Sequence, residues 1–365
     1  MIERRSLMVA AVILVACASS PAEPPLTSEQ PGSTALLPTT SEVPSTSAAL
    51  LSSTTAVATT SEQEPAFEVA IYPVPSGSRP HDVAPAADGG IWYTAQRRGA
   101  LGWLDAETGE ARETPLGPNS APHGVIIGPD GAPWITDGGL NAIVRVDPES
   151  LALQTFPMPA VAAQANLNTA AFDGDGVLWF TGQAGWYGRL DPEDGVIEAF
   201  PSPRGSGPYG ITATPGGAIY FSSLAGSYLG AVDRSTGDVE VIDPPTPGAG
   251  LRRVWSDSAG RLWVSEWNAG QVGAYDPLSE TWVEWRLPGD APQAYSVFVD
   301  ETDTVWLTDF GANAIVRFDP LTESFMSFPS DVNPANVRQM LGRPGEVWGA
   351  ESAADRLIVI RTVVG

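Results

Sequence analysis

Residues 130–157 read DGAPWITDGGLNAIVRVDPESLALQTFP. An Asp130-Gly131 turn precedes Pro133-Trp134-Ile135-Thr136, and a polar loop leads to Ala142-Ile143-Val144-Arg145-Val146 with an Asp147-Pro148 turn. A last run, Leu153 to Pro157, ends on proline. Short runs rich in β-branched and aromatic residues, bounded by Gly, Pro and Asp turns, read as strands, and no helical period runs through them.

The same unit recurs in both directions along the chain. Its aromatic marker stands at Trp92, Trp134, Trp179, Tyr220, Trp263, Trp306 and Trp348, with spacings of 42, 45, 41, 43, 43 and 42. Seven units of this length, each an antiparallel set of four strands, specify an all-β fold, a seven-bladed β-propeller. The ends of the array support a closed ring. The last unit stops after its third strand, Arg356 to Arg361, and an unmatched fourth-strand sequence, Phe67 to Pro75, precedes the first unit. Pairing the two removes the exposed edges that an open solenoid would leave.

The residues before the array have a different character. A basic start, Arg4-Arg5, an apolar run from Leu7 to Ala16 and the single cysteine, Cys17, read as a lipoprotein signal over residues 1–17, with Cys17 lipidated. Residues 18–65 are rich in Ser, Thr, Pro and Ala and contain no lysine or arginine. Such a composition cannot offset chain entropy by burial and predicts a disordered tether, about 40 Å from end to end. The expected organisation is therefore signal, tether and a propeller over 66–365, held outside the cytoplasm at the cell envelope by its lipid alone.

Propeller geometry locates the candidate site. The first strand of each blade crosses the disc and the second returns, so the start of one and the end of the other share a face. Eleven residues before each marker stand His81, His123, Asn168, Tyr209, Arg252 and Tyr295, and a blade one residue shorter makes Arg338 the seventh. Three residues after each marker stand Ala95, Asp137, Gly182, Ser223, Glu266, Asp309 and Glu351. The rest of the repeat is nearly monotonous, so a changing set of His, Arg, Tyr and carboxylates at one channel mouth is where ligand specificity would be written. The structural alternative is a wet channel in which Arg252 pairs with Glu266 and Arg338 with Glu351.

Ala121-Pro122-His123-Gly124-Val125 with Trp134-Ile135-Thr136-Asp137, Gly207-Pro208-Tyr209-Gly210-Ile211, and the run from Asn313 to Pro320 resemble the virginiamycin B lyase (streptogramin lyase) family over about residues 67–365. The resemblance implies a seven-bladed propeller that opens a cyclic depsipeptide at its ester by elimination, with a magnesium ion and catalytic histidines. The family's histidines open the first strands of two neighbouring blades in a Pro-His context, which His81 and His123 match. The family's pair lies in its last blades, however, where a linear alignment places Tyr295 and Arg338. Its glutamate two residues before the second histidine is Ala121 here.

The residues can fill the roles of such a reaction. His81 and His123, the only histidines, titrate near neutrality as an acid or base must. Arg252 and Arg253 suit an oxyanion or carboxylate, Asn168 and Tyr209 would contact substrate, and Asp137, Glu266, Asp309 and Glu351 offer oxygen ligands to a hard cation such as Mg²⁺. A lactone hydrolase needs a similar set, and a propeller that captures a ligand or partner without turnover needs less. The expected partner is a small molecule or cyclic peptide, bound by a monomer. A formal charge of -24 excludes nucleic acid. No phosphate loop, zinc-type Cys/His spacing or nucleophile elbow occurs.

Overall fold

The structure, a computed structural model, describes residues 66–363. Cys17, the signal 1–17 and the tether 18–65 lie outside the described residues. Seven four-stranded antiparallel sheets form the ring, interrupted only by two short 3₁₀ turns, Gln96–Arg98 and Ala160–Ala162. No helix among the described residues is long and apolar enough to cross a membrane.

The innermost strands are Pro80–Pro85, Pro122–Ile127, Leu167–Phe172, Pro208–Ala213, Leu251–Ser256, Ala294–Val299 and Val337–Arg343. Each contacts the innermost strand of the next blade, and the seventh contacts the first. Closure is by sequence ends: Ala66–Pro73 is the outer strand of blade 7, paired antiparallel with Arg356–Val363 from Ala66 opposite Val363 to Pro73 opposite Arg356. The chain thereby satisfies the ladder of the last blade with residues that precede the first.

The aromatic markers explain why the unit repeats. Apolar clusters fill the seven blade–blade interfaces, and Trp179, Trp263, Trp306 and Trp348 are at most 1 % exposed within them. Full burial of one large apolar side chain contributes roughly 1.5–3 kcal/mol. The indole N–H of a marker is satisfied by the turn that precedes it: Trp179 donates to Asp173 at 2.9 Å, Trp263 to Asp257 at 3.1 Å and Trp306 to Asp300 at 2.7 Å. Those aspartates also accept backbone N–H groups of their own turns, so one residue caps the turn and locks the tryptophan.

Two features aim side chains at the axis. All seven innermost strands carry a register shift against their neighbours near the start, between Pro80 and Val83 in blade 1 and between Leu251 and Arg253 in blade 5, for example. Such a bulge breaks the strict alternation of a strand, and two consecutive residues then face the channel. The second feature is a hydroxyl two residues after the marker. Thr94 Oγ1 accepts the backbone N–H of Asp82 at 3.0 Å and donates to the carbonyl of His123, in the next blade, at 2.9 Å. Ser222 links Gly210 to Arg252, and Ser265 links Arg253 to Tyr295, in the same way. Blade 7 has Ala350 at this position and no such latch. In blades 1 to 5 the latch ties the bulge to the mouth residue of the next blade.

Candidate functional site at the channel mouth

The seven residues at the start of the innermost strands meet in one cluster. The His81 and His123 rings lie 3.9 Å apart, centroid to centroid. His123 Nδ1 is 3.1 Å from the Asn168 carbonyl oxygen, and its Nε2 is 3.2 Å from Asn168 Nδ2. An amide nitrogen and a carbonyl oxygen are fixed in role, so Nδ1–H donates and Nε2 accepts. Both nitrogens of His123 are thereby engaged. His81 differs: its Nδ1 contacts Asp82 Oδ1 at 2.7 Å, and its Nε2 faces the Tyr295 hydroxyl at 3.4 Å.

The tyrosines and arginines complete the ring. Tyr209 and Tyr295 hydroxyls are 3.2 Å apart. Arg338 Nη1 donates to Tyr295 Oη at 3.0 Å, and Arg252 Nη2 donates to Tyr209 Oη. Arg252 lies over both rings, 4.1 Å from the Tyr209 centroid and 3.8 Å from that of Tyr295. Guanidinium groups only donate, which orders the network: Arg252 donates to Tyr209, Tyr209 to Tyr295, Tyr295 to His81 Nε2, and His81 Nδ1–H to Asp82. Asn168, Tyr295, Tyr209, His81 and His123 are buried, at 0, 1, 3, 3 and 7 % exposure, while Arg252 and Arg338 are half-buried at the surface of the cluster. The channel is therefore plugged at this mouth.

A second layer lies one residue further along each strand. Arg253, 1 % exposed, crosses from blade 5 to put Nη2 at 3.3 Å and 3.4 Å from the Asp82 carboxylate oxygens and to donate through Nη1 to Thr169 Oγ1. Gly210 leaves room for this strand, since a Cβ there would stand 2.7 Å from the Arg253 Cα. Beneath is a void of only about 20 Å³ lined by Asp82, Thr169, Trp255 and Gln339, space for no more than one water. Asp82, Thr169 and Gln339 are absent from the sequence-based site because alternation assigns them to the blade interior. The repeated bulge turns them inward. The signal available was positional, since Arg253 stands at the equivalent place in blade 5.

Burial, followed by the charges of Arg338, Arg253 and Arg252, holds His81 well below its ordinary pKa. Burial and His81 do the same to His123, against the pull of Asp82. Burial raises Asp82 despite Arg253, and burial raises Tyr209. For Tyr295 burial is again the largest influence and acts upward, but Arg252, Arg338 and Arg253 together overcome it and bring the phenol down to about 8. One acidic phenol thus sits among three guanidiniums and two neutral imidazoles.

The carboxylates at the ends of the second strands do not join the cluster. Asp137 Oδ1 accepts the backbone N–H groups of Ala121, Gly139 and Leu140 at 2.9, 3.0 and 2.9 Å. Asp309 does the same for Gln293, Gly311 and Ala312. Glu266 turns into its blade and accepts from Gln271 Nε2 at 2.6 Å, where burial and then Glu284 push it up to about 8. Glu351 pairs with Arg356 and Ser330. The Arg252–Glu266 and Arg338–Glu351 pairs of the structural alternative do not form; both arginines turn to tyrosines. A short aspartate at a strand end meets the amides of its own turn before it can span the channel.

His81, Asp82 and His123 are the one group of potential metal ligands close enough together among the described residues, with donor atoms within 4.8 Å of one another. This set does not fit Mg²⁺, which takes oxygen ligands in near-octahedral array. It offers one carboxylate, already held by His81 and Arg253, two imidazoles, and three nearby guanidiniums.

The protein is a closed seven-bladed propeller with a tyrosine–histidine–arginine plug at one channel mouth. The virginiamycin B lyase family model matches residues 47–291 and 173–355, and the chain belongs to that family. Among solved structures it is similar to virginiamycin B lyase from Staphylococcus aureus, with TM-score 0.76 and 20 % identity over 82 % of this chain and 100 % of that one. A streptogramin B lyase superposes with TM-score 0.75 at 21 % identity, covering 81 % and 98 %. A catalytically inactive S. aureus virginiamycin B lyase with quinupristin gives TM-score 0.75 at 20 % identity, covering 82 % and 100 %. No curated protein matches the chain. In the ring, blades 6, 7, 1 and 2 are consecutive, so Tyr295, Arg338, His81 and His123 are neighbours. The linear alignment and the Pro-His match therefore point to one place.

Proposed function

We propose that the channel mouth is an acid–base site and that the protein is a carbon–oxygen lyase acting on an ester. The observation that carries this reading is the aligned set Asp82–His81–Tyr295, with Tyr295 brought to about 8 by the arginines. Asp82 holds the His81 proton on Nδ1, so Nε2 accepts from Tyr295 and fixes its ring. Once the phenol proton is lost to solvent, the Tyr295 phenolate, held by Arg338 and Arg252, would remove the proton α to the ester-bearing carbon. The carbon–carbon double bond forms as the carbon–oxygen bond breaks, and the electron pair leaves on the carboxylate oxygen. Arg252 and Arg338 flank Tyr295 and would stabilise the enolate and the departing carboxylate. His123, with both nitrogens held by Asn168, serves as packing and support.

Two faces of this reading are open to test. Tyr295 is 1 % exposed, with Arg252 and Phe310 against its ring, so a substrate must displace one of them. That burial favours a second reading, capture of a ligand at the rim without turnover. The test is turnover of a panel of linear and cyclic esters, quinupristin among them, by the full chain and by Tyr295→Phe. Turnover lost in the variant supports the lyase, and its absence across the panel with retained ligand binding supports capture.

We also propose that the propeller is held at the cell envelope through lipidated Cys17. The support is the sequence of residues 1–65 alone.

A further inference from the structure

We infer that the ligand of the channel mouth carries a carboxylate, received by Arg252 and Arg338, with an apolar body laid against Trp267 and Phe310. The inference rests on the reading of this mouth as the reaction site and names its substrate class.

The chain has no lysine, so every side chain that is cationic at neutral pH, with both buried histidines neutral, is an arginine. Most described arginines with a carboxylate partner meet it at the blade surface, as Arg98 meets Glu113 and Arg145 meets Asp130. Arg252 and Arg338 form no ion pair among the described residues. Their partners are the Tyr209 and Tyr295 hydroxyls. The arginines whose Nε is buried without a hydrogen-bond partner are Arg252, Arg253 and Arg338, all of them in the channel. Arg253 is neutralised by Asp82, which leaves two uncompensated guanidiniums at the exposed side of the plug. Buried guanidinium N–H groups without a hydrogen-bond partner are costly. An anion supplied from outside satisfies them, and a carboxylate matches the planar fork of a guanidinium.

The rim adds the apolar component. Phe310 stacks on Tyr295 at 4.5 Å and 3°, and Trp267 meets Phe310 edge-on at 5.5 Å. Both rings are half-buried. Trp267 also forms one wall of a cleft of about 640 Å³ between blades 5 and 6, lined by Arg286, Pro292 and Gln293. The carboxylate end thus faces the arginines, and the remainder of the ligand has a surface to lie on.

The test is calorimetric titration of the full chain with phenylpropionate, its neutral amide and phenylpropylamine. The expected result is that phenylpropionate binds about tenfold or more tightly than the amide, that phenylpropylamine does not bind, and that Arg338→Gln removes the preference. Equal affinity for acid and amide in the unaltered protein overturns the inference, whatever the variant does. So does unchanged preference in both Arg252→Gln and Arg338→Gln. These outcomes are independent of turnover: a lyase with no acid preference defeats this inference alone, and an acid-selective protein without ester turnover defeats the lyase reading alone.

Discussion

His81 Nε2 lies 3.4 Å from the hydroxyl of Tyr295, although 214 residues separate them in the chain. Ring closure makes this contact, since blade 1 and blade 6 become near neighbours only when blade 7 is completed. This contact is thereby coupled to the integrity of the fold.

The field of three arginines at Tyr295 has a spectroscopic consequence. Of the eight tyrosines, Tyr295 ionises near pH 8, and the tyrosinate absorbance step there is absent from Tyr295→Phe. Its folded pKa is below the ordinary 10.0, so its contribution to stability is fully present above pH 10 and is lost as pH falls through about 8. Turnover that uses the phenolate rises with pH through about 8 and levels above it. The variant loses about 10² or more in turnover.

The hydroxyl latches make the mouth rigid, and Thr94→Val tests one of them. The substitution leaves the Asp82 amide and the His123 carbonyl without this partner and costs about 1–3 kcal/mol in chemical denaturation. An unchanged midpoint would show that the latch is dispensable.

The displaced outer strand predicts a large effect for a small deletion. Removal of residues 66–73 exposes the edge of Arg356–Val363 and costs several kcal/mol of burial and ladder bonding. The melting temperature falls sharply by circular dichroism, whereas a truncation ending at residue 60 leaves it unchanged.

Much of this architecture is legible in residues alone, for a physical reason. Trp134 and its equivalents must fill the same interface seven times, so their period survives, and counting eleven back from each reaches His81 through Tyr295 without a structure. The second layer is not legible that way. Asp82 and Arg253 are brought to the axis by a bulge, and a bulge has no composition of its own. The carboxylates stay out of the cluster for a different reason: Asp137 and Asp309 occupy the expected edge of each blade, but amides within three residues engage Oδ1 of each. Spacing gives the position of a side chain, and local donors decide its direction.

Anchoring is tested by Cys17→Ala, which removes the only proposed lipid attachment. The altered protein moves to the soluble fraction of fractionated cells, and full retention in the membrane would defeat the proposal.

The mass of the ring-opened product tests the central claim most directly. Elimination conserves every atom of a cyclic ester, so the product is isomeric with its substrate and carries a new carbon–carbon double bond; hydrolysis adds one water. The expected product is an isomeric, unsaturated carboxylic acid from the unaltered protein and none above background from Tyr295→Phe. A product heavier by one water, or an isomeric product formed equally well by the variant, would contradict it.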